Sequence, residues 1–408
     1  MLLKLSKADK NLFGTIKLNG SKSINNRALI LRALCQKDCN LENLSNAEDS
    51  QQLLKLLNST DDLLDAQAGG TTFRFLTAYL SMQPGSKILT GSTRMKQRPI
   101  GPLVEALQTI GASIEHLEKE GYPPIKIGEP KIGSTNELSI PADISSQFIS
   151  ALLMIAPTLP RGLVLRLEGT IVSPSYIKMT LKLMEHFGIR SSWERKVIRI
   201  LPQKYIATDL YVEADWSAAS YYYGLAAFAE NVDLTLEGLL SKSVQGDSVL
   251  SEIMEQFGIE TTFGKHSIRL TKEKDFKLPT KFEYDFIDCP DIAQTLAVVC
   301  AGLGVPAKLT GLQTLRIKET DRIAALKKEL AKVQVDFPTE EEDHFSLSGK
   351  ALLESSIFDT YEDHRMAMSL AMLGMFGPLS VREPQVVGKS YPAFWKDLEL
   401  VGFKVSKI

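Results

Sequence analysis

Leu181–Trp193, which reads LKLMEHFGIRSSW, is an apolar pattern of helical spacing that stops at Gly188 and turns at once toward a strand. The same passage from helix to left-handed turn to strand recurs five more times. It is found in LLKLLNST (Leu53–Thr60), LVEALQTIGASIE (Leu103–Glu115), IMEQFGIETTF (Ile253–Phe263), LKKELAKVQVDF (Leu326–Phe337) and LELVGFKV (Leu398–Val405). The turn residues are Asn58, Gly111, Gly188, Gly258, Gln334 and Gly402, spaced 53, 77, 70, 76 and 68 residues apart. A spacing of about 70 residues describes one supersecondary unit repeated, and six copies in one chain predict an α/β protein of two domains with three repeats each. The first copy is short, because STDDLLDAQAGG leaves little room for further strands before the next motif. Gln334 is the turn residue least suited to positive φ.

At 408 residues with 44% hydrophobic content the chain can bury two substantial cores. A formal net charge of −2 gives no global attraction to nucleic acid or to an anionic membrane, and the aromatic interleaving of nucleic-acid binders is missing. Any anion binding must therefore be local. The opening MLLKLSKADK has no apolar signal core and no run of about 18 apolar residues occurs, so a soluble cytoplasmic protein is expected. Cys35, Cys39, Cys289 and Cys300 show neither CxxC spacing nor a nearby histidine pair, which predicts reduced, buried thiols without a zinc site or disulfide framework.

Cations cluster at the starts of helices. GSKSINNR (Gly20–Arg27) leads into a helix-forming run, so Lys22 and Arg27 would stand beside unpaired backbone N–H groups and the positive end of a helix dipole. It is not a P-loop, since Thr15 and Ser21 stand where that motif requires a glycine and the residue preceding its lysine. AGGTTFRF (Ala68–Phe75) follows two glycines with Arg74, and STRMKQRPIG (Ser92–Gly101) concentrates Arg94, Lys96 and Arg98. Ser145, Ser146 and Gln147 open one apolar helix, and Ser173, Ser175 and Tyr176 another. Helix capping explains these serines equally well. Asp291 follows Pro290 at the head of a helix apolar on most faces. LRIKETDRIAALKKEL (Leu315–Leu330) predicts a helix carrying Lys318 and Arg322 on one i,i+4 face with Glu319 beside them. Two cations on one stripe repel unless an anion lies between them, although a salt-bridged surface helix is the plainer reading. YEDHRMAM (Tyr361–Met368) places Asp363, His364 and Arg365 before a further helix, and VVGKSYPAFW (Val386–Trp395) offers Lys389. A structural role for His364 is expected over that of a general base.

In their order and spacing, GSKSINNR, GGTTFR, RPIG, SSQF, PDIA, RIKETDR, DHRMAM and GKSYP resemble the EPSP synthase family, the 3-phosphoshikimate 1-carboxyvinyltransferases, from about Leu18 to Trp395. The resemblance implies a two-domain inside-out α/β barrel, each domain built of three βαβαββ repeats. The domains would be 19–213, the shikimate 3-phosphate side, and 1–18 with 214–408, the phosphoenolpyruvate side, with the active site in the cleft between them. The chain would cross near Leu18 and near Glu213–Asp215, and the C-terminal domain would recruit the N-terminal strand.

The family reaction moves the enolpyruvyl group of phosphoenolpyruvate to the 5-hydroxyl of shikimate 3-phosphate and releases phosphate. By resemblance, Lys22, Arg98, Lys389 and the Gly70 backbone would hold the phosphoenolpyruvate phosphate, and Arg322 and Arg365 its carboxylate. Ser23 and Arg27 would take the shikimate carboxylate, and Ser145, Ser146 and Ser173 the 3-phosphate. Gln147 would lie near both substrates, Tyr176 against the ring and Lys318 near the hydroxyls. Glu319 would protonate the methylene carbon and Asp291 would accept the hydroxyl proton, with Lys22 close to it. No metal or cofactor is implied, and a monomer is expected. Two positions depart from the pattern: Ala68 and Thr314 stand where many or some members have asparagine. The sister family acting on UDP-N-acetylglucosamine usually has a cysteine before its arginine-proline, and LTGSTRMKQRPIG has none. A non-catalytic anion-binding scaffold would be expected to lose Asp291 or Glu319, and both are present.

Overall fold

The computed structural model describes residues 1–133, 135–337 and 344–408. The chain divides into two compact units, one continuous, Ser21–Val212, and one formed by Met1–Gly20 with Glu213–Ile408. The units part at 20/21 and 212/213, two residues and one residue from the crossings expected at 18/19 and 213/214. Within the second unit the two passages run side by side, with an isolated antiparallel bridge between Gly20 and Ala214.

The continuous unit has three sheets. In one, strands Leu63–Asp65, Lys87–Thr90, Ile125–Gly128 and Ser113–His116 lie in that order; in another, Glu137–Pro141, Leu163–Glu168, Val197–Ile200 and Ser191–Glu194. Each follows one plan. Two parallel strands are joined by a helix, as parallel pairing requires, and a second helix leads to a hairpin that returns antiparallel. The third sheet has only two strands, Leu41–Glu42 and Leu210–Tyr211, paired in parallel. The short first repeat is thus a repeat without its hairpin. Asn58 accordingly has φ −99° and not the left-handed turn expected of it, because the chain runs on from there into the next sheet.

The other unit keeps the plan while breaking the chain order. Asn11–Lys17 pairs in parallel with Asn231–Glu237, so the whole continuous unit is inserted between the first two strands of this repeat. Phe282–Asp285, Ala307–Thr310 and His344–Leu347 form the second sheet. In the third, Leu2–Ser6 lies between Leu379–Arg382 and Lys404–Lys407, antiparallel to both, in the place that the last strand of a repeat takes elsewhere. Gln334, despite its side chain, adopts φ 63° at the same point where Gly188 has φ 84°.

Each unit is packed around helices, with its sheets outside them. In the continuous unit Lys22–Leu34, Gly70–Leu80 and Ser146–Ile155, one from each repeat, pack on one another. In the other, Trp216–Phe228, Ala293–Leu303 and the stretch His364–Met375 do so. Sequences such as SQFISALLMI and AQTLAVVCAGL are apolar on almost every face, which suits a helix surrounded by protein. Among the described residues no helix is long and apolar enough to cross a membrane. The four cysteines are free, but only Cys289 and Cys300 are buried; Cys35 and Cys39, near a helix end, are half-buried, against expectation.

Candidate functional site

In the continuous unit, the inner helices Lys22–Leu34 and Gly70–Leu80 begin with cation-bearing stretches read from the sequence, and Ser146–Ile155 with the serine pair. Ser21, Gly69 and Ser145 precede them, and none has an acidic residue in its first turn. Arg27 lies in the helix that follows Ser21 and its side chain is buried. Its Nε donates to Thr180 Oγ1 (2.7 Å), Nη1 to the Ser23 carbonyl (2.8 Å), and Nη2 to Ser150 Oγ (3.1 Å) and the Tyr176 carbonyl (3.4 Å). All of these acceptors are neutral. Burial lowers the Arg27 pKa to about 10. A buried guanidinium among neutral oxygens leaves a local excess of positive charge that an anion would balance.

The other groups of this unit are tied to the same helix starts. Lys22 Nζ lies 3.1 Å from Asp49 Oδ2, at the head of helix Glu48–Leu57. Arg74 Nη1 donates to Gln147 Oε1 (2.5 Å), and Gln147 Nε2 to Thr71 Oγ1 (3.0 Å), which fixes the amide between two helix N-termini. A Cβ on Gly70 would lie 2.6 Å from Arg98 Nη1, so the bare glycine lets that guanidinium rest against the helix start. Ser145 Oγ accepts from the Gln147 N–H (3.3 Å), the capping expected of it, and Ser146 is the first residue of that helix. Ser173 stands at the N-cap position of Pro174–His186 in a left-handed conformation, φ 51°, without the side-chain capping bond that Ser145 makes. Ser23 and Tyr176 are half-buried in the first turn of their helices.

The second unit gathers carboxylates with its cations. Asp291 is in the turn Pro290–Ile292 leading into the inner helix Ala293–Leu303, and Asp363 caps His364–Ala371 by accepting from the Arg365 N–H (2.8 Å). Helix Arg322–Ala331 is capped by Asp321, so Lys318 and Glu319 precede it and do not share the helical face with Arg322 that their spacing suggests. The strong cap at Asp321 sets the helix start at Arg322, four residues after Lys318. The three side chains nonetheless converge. Arg322 Nε donates to Asp363 Oδ2 (2.7 Å), Nη1 to Asp291 Oδ1 (3.2 Å) and Nη2 to Glu319 Oε2 (2.9 Å). Lys318 Nζ lies 3.9 Å from Asp291 Oδ1, and Arg365 Nη2 lies 3.2 Å from Asp291 Oδ2. Although burial opposes it, the Asp363 and Glu319 carboxylates raise the Arg322 pKa further, whereas burial lowers that of Lys318. Lys389 donates to the Glu362 carbonyl (2.7 Å). His364 is buried with Nδ1 3.9 Å from Asp363 Oδ1, as suits a structural residue.

Sequence reading missed the partners. Asp49 beside Lys22 had no motif to mark it, and neither had Asp247, a buried carboxyl that accepts from Ser217 Oγ in the first turn of helix Trp216–Phe228. Burial, followed by the charge of Asp291, pushes the Asp247 carboxyl up to about 7.

The family model for EPSP synthase (3-phosphoshikimate 1-carboxyvinyltransferase) matches residues 6–60 and 55–398. A 3-phosphoshikimate 1-carboxyvinyltransferase of Bacteroides fragilis (strain YCH46) is 45% identical over 406 residues, covering 98% of this chain and 98% of the relative. One from Cellvibrio japonicus is 35% identical over 413 residues, covering 94% and 95%. In fold the chain is similar to EPSP synthase from Acinetobacter baumannii (TM-score 0.79, 22% identity, all of both chains). It is also similar to the enolpyruvyl transferase NikO from Streptomyces tendae (TM-score 0.74, 12% identity, 99% and 98% covered). Six repeats in two units, the cations at helix starts and this full-length kinship agree: the chain belongs to the EPSP synthase family.

Proposed function

We propose that the two residue sets carry the family's transfer as follows. The enolpyruvyl group of phosphoenolpyruvate passes to the 5-hydroxyl of shikimate 3-phosphate, giving 5-enolpyruvylshikimate 3-phosphate and inorganic phosphate, in aromatic amino-acid biosynthesis. Ser23 and Arg27 take the shikimate carboxylate, and Ser145, Ser146 and Ser173 the 3-phosphate, with Gln147 and Tyr176 at the ring and Lys318 at the hydroxyls. Lys22, the Gly70 N–H, Arg98 and Lys389 hold the phosphate of phosphoenolpyruvate, with Gln147 near it. Arg322 and Arg365 hold the carboxylate of phosphoenolpyruvate, a geometry planar guanidinium groups suit.

The Glu319 carboxylic acid gives its proton to the methylene carbon, and Asp291 accepts the proton of the attacking hydroxyl, with Lys22 near that proton. The new carbon–oxygen bond gives a tetrahedral intermediate. Its collapse breaks the bond to phosphate, which leaves with the bonding electron pair, while the methyl carbon returns a proton to the Glu319 carboxylate and the double bond is restored. The observation that carries this reading is the position of Asp291 among Lys318, Arg322 and Arg365, with Glu319 on the same guanidinium. Acid, base and charge-balancing cations thus share one compact cluster.

The chain acts as a monomer in the cytoplasm on this reading. The test is release of inorganic phosphate from phosphoenolpyruvate on adding shikimate 3-phosphate, compared with UDP-N-acetylglucosamine. Release with the second acceptor alone would overturn the assignment.

A further inference from the structure

The segment Asp359–Asp363 has an unfavourable backbone braced by side chains of helix Arg322–Ala331, with Arg382 on the Asp359 carboxylate (2.8 Å) and Lys389 on the Glu362 carbonyl (2.7 Å) beside them. Tyr361 and Glu362 both adopt left-handed conformations, φ 54° and 56°. Neither is glycine, and two such residues in succession persist only where their surroundings fix them. Helix Arg322–Ala331 supplies that restraint. Arg322 and Glu329 lie seven residues apart, which places them on one stripe two turns from each other. Arg322 Nε holds Asp363 Oδ2 at 2.7 Å. The Glu329 side chain is fully buried, and it accepts from the Asp359 N–H (2.9 Å) with Oε2 and from the Tyr361 hydroxyl (2.5 Å) with Oε1. Lys332 Nζ, 2.6 Å from Glu329 Oε2 and 3.0 Å from Asp359 Oδ2, completes the brace.

The strained turn sets the next groups along the chain. The Glu362 carbonyl accepts from Lys389 Nζ, and Asp363 caps the helix in which Arg365 is the second residue. Arg365 in turn reaches the Asp291 carbonyl and carboxylate, each at 3.2 Å. A change in the Tyr361–Glu362 backbone therefore moves both Lys389 and Arg365, while the residues assigned to the shikimate carboxylate and 3-phosphate belong to other stretches of the chain. We propose that Glu329, acting through Tyr361, is a positioning residue that sets Arg365 and Lys389 for phosphoenolpyruvate; this rests on the assignment of those two cations above.

Tyr361→Phe removes the hydroxyl and little else. Steady-state kinetics should show KM for phosphoenolpyruvate raised about tenfold, with KM for shikimate 3-phosphate within about twofold of the parent. Glu329→Gln should show the same split more strongly, and Tyr361→Phe keeps the test available if that variant does not fold. Glycine takes positive φ without a brace, so adding Glu362→Gly to Tyr361→Phe should bring KM for phosphoenolpyruvate back to within about threefold of the parent. A purely structural brace would lower the thermal midpoint and move both KM values together, with no return on adding the glycine, and that result overturns the inference. So does a Tyr361→Phe enzyme with unchanged KM for phosphoenolpyruvate. Arg365→Lys separates the two levels: if it leaves KM for phosphoenolpyruvate unchanged, the assignment of Arg365 fails. If it raises KM and Tyr361→Phe does not, the assignment stands and the brace falls.

Discussion

The inner helices of the two units begin differently. In the continuous unit they start after Ser21, Gly69 and Ser145, with no acid in the first turn. In the other unit aspartates stand at the corresponding places, Asp215 and Asp363 as caps and Asp291 in the leading turn. An aspartate at a helix start satisfies the unpaired N–H groups from within and offsets the positive end of the dipole. A serine or glycine leaves that end available to an incoming anion. The arginines follow the same division: Arg27 donates to neutral oxygens and has its pKa lowered by burial, while Arg322 touches three carboxylates. One unit holds a standing excess of positive charge suited to binding. The other holds balanced charges, among which a proton can move with little change in the local field.

The largest effect expected from this contrast is in the balanced unit. Glu319→Gln, which keeps the shape and removes the proton, should lower kcat by about a thousandfold with shikimate 3-phosphate affinity kept. Turnover near the parent value in stopped-flow phosphate release would remove Glu319 from its role. Next is Arg322→Leu. It leaves Asp363 buried without its cation and should lower the ligand-free stability by about 3–5 kcal/mol in urea unfolding.

Asp247 gives a smaller, pH-dependent effect. Its folded pKa, about 7, lies above its ordinary value of 3.8, so the protonated form favours folding. That contribution is full below about pH 4 and is lost as pH rises through 7. Asp247→Asn should therefore be more stable than the parent at pH 8 and little changed at pH 4. Equal differences at both pH values would contradict the sign. Smallest is Arg27→Leu, which should change ligand-free stability by only about 1 kcal/mol, since its acceptors are neutral, yet weaken shikimate 3-phosphate binding about a hundredfold by calorimetry. Equal stability losses for Arg27→Leu and Arg322→Leu would break the comparison.

The repeats were legible because helix, turn and strand keep their period through any loop, and five of the six turn residues adopt positive φ. Asn58 was not, since whether a hairpin follows depends on chain length that the turn itself does not encode. The cations were legible because each sits in a distinctive local stretch. Their pairings with counter-charges were not: Asp49 and Asp363 come to Lys22 and Arg322 from other segments, and only packing brings them together. Lys318 and Arg322 show a local rule overridden, as Asp321 takes the cap and the convergence on Asp291 comes through tertiary contacts.

The placement of Leu2–Ser6 between Leu379–Arg382 and Lys404–Lys407 bears on how the protein is made. A ribosome delivers this strand before the whole continuous unit, and its partners after it. Asn11–Lys17 likewise waits for Asn231–Glu237 to emerge. The continuous unit is complete once Val212 has left the exit tunnel and can fold while synthesis proceeds. Both strands must meanwhile stay unpaired on the nascent chain, Asn11–Lys17 until Asn231–Glu237 emerges and Leu2–Ser6 until Leu379–Arg382 does, and both are open to mispairing for that time.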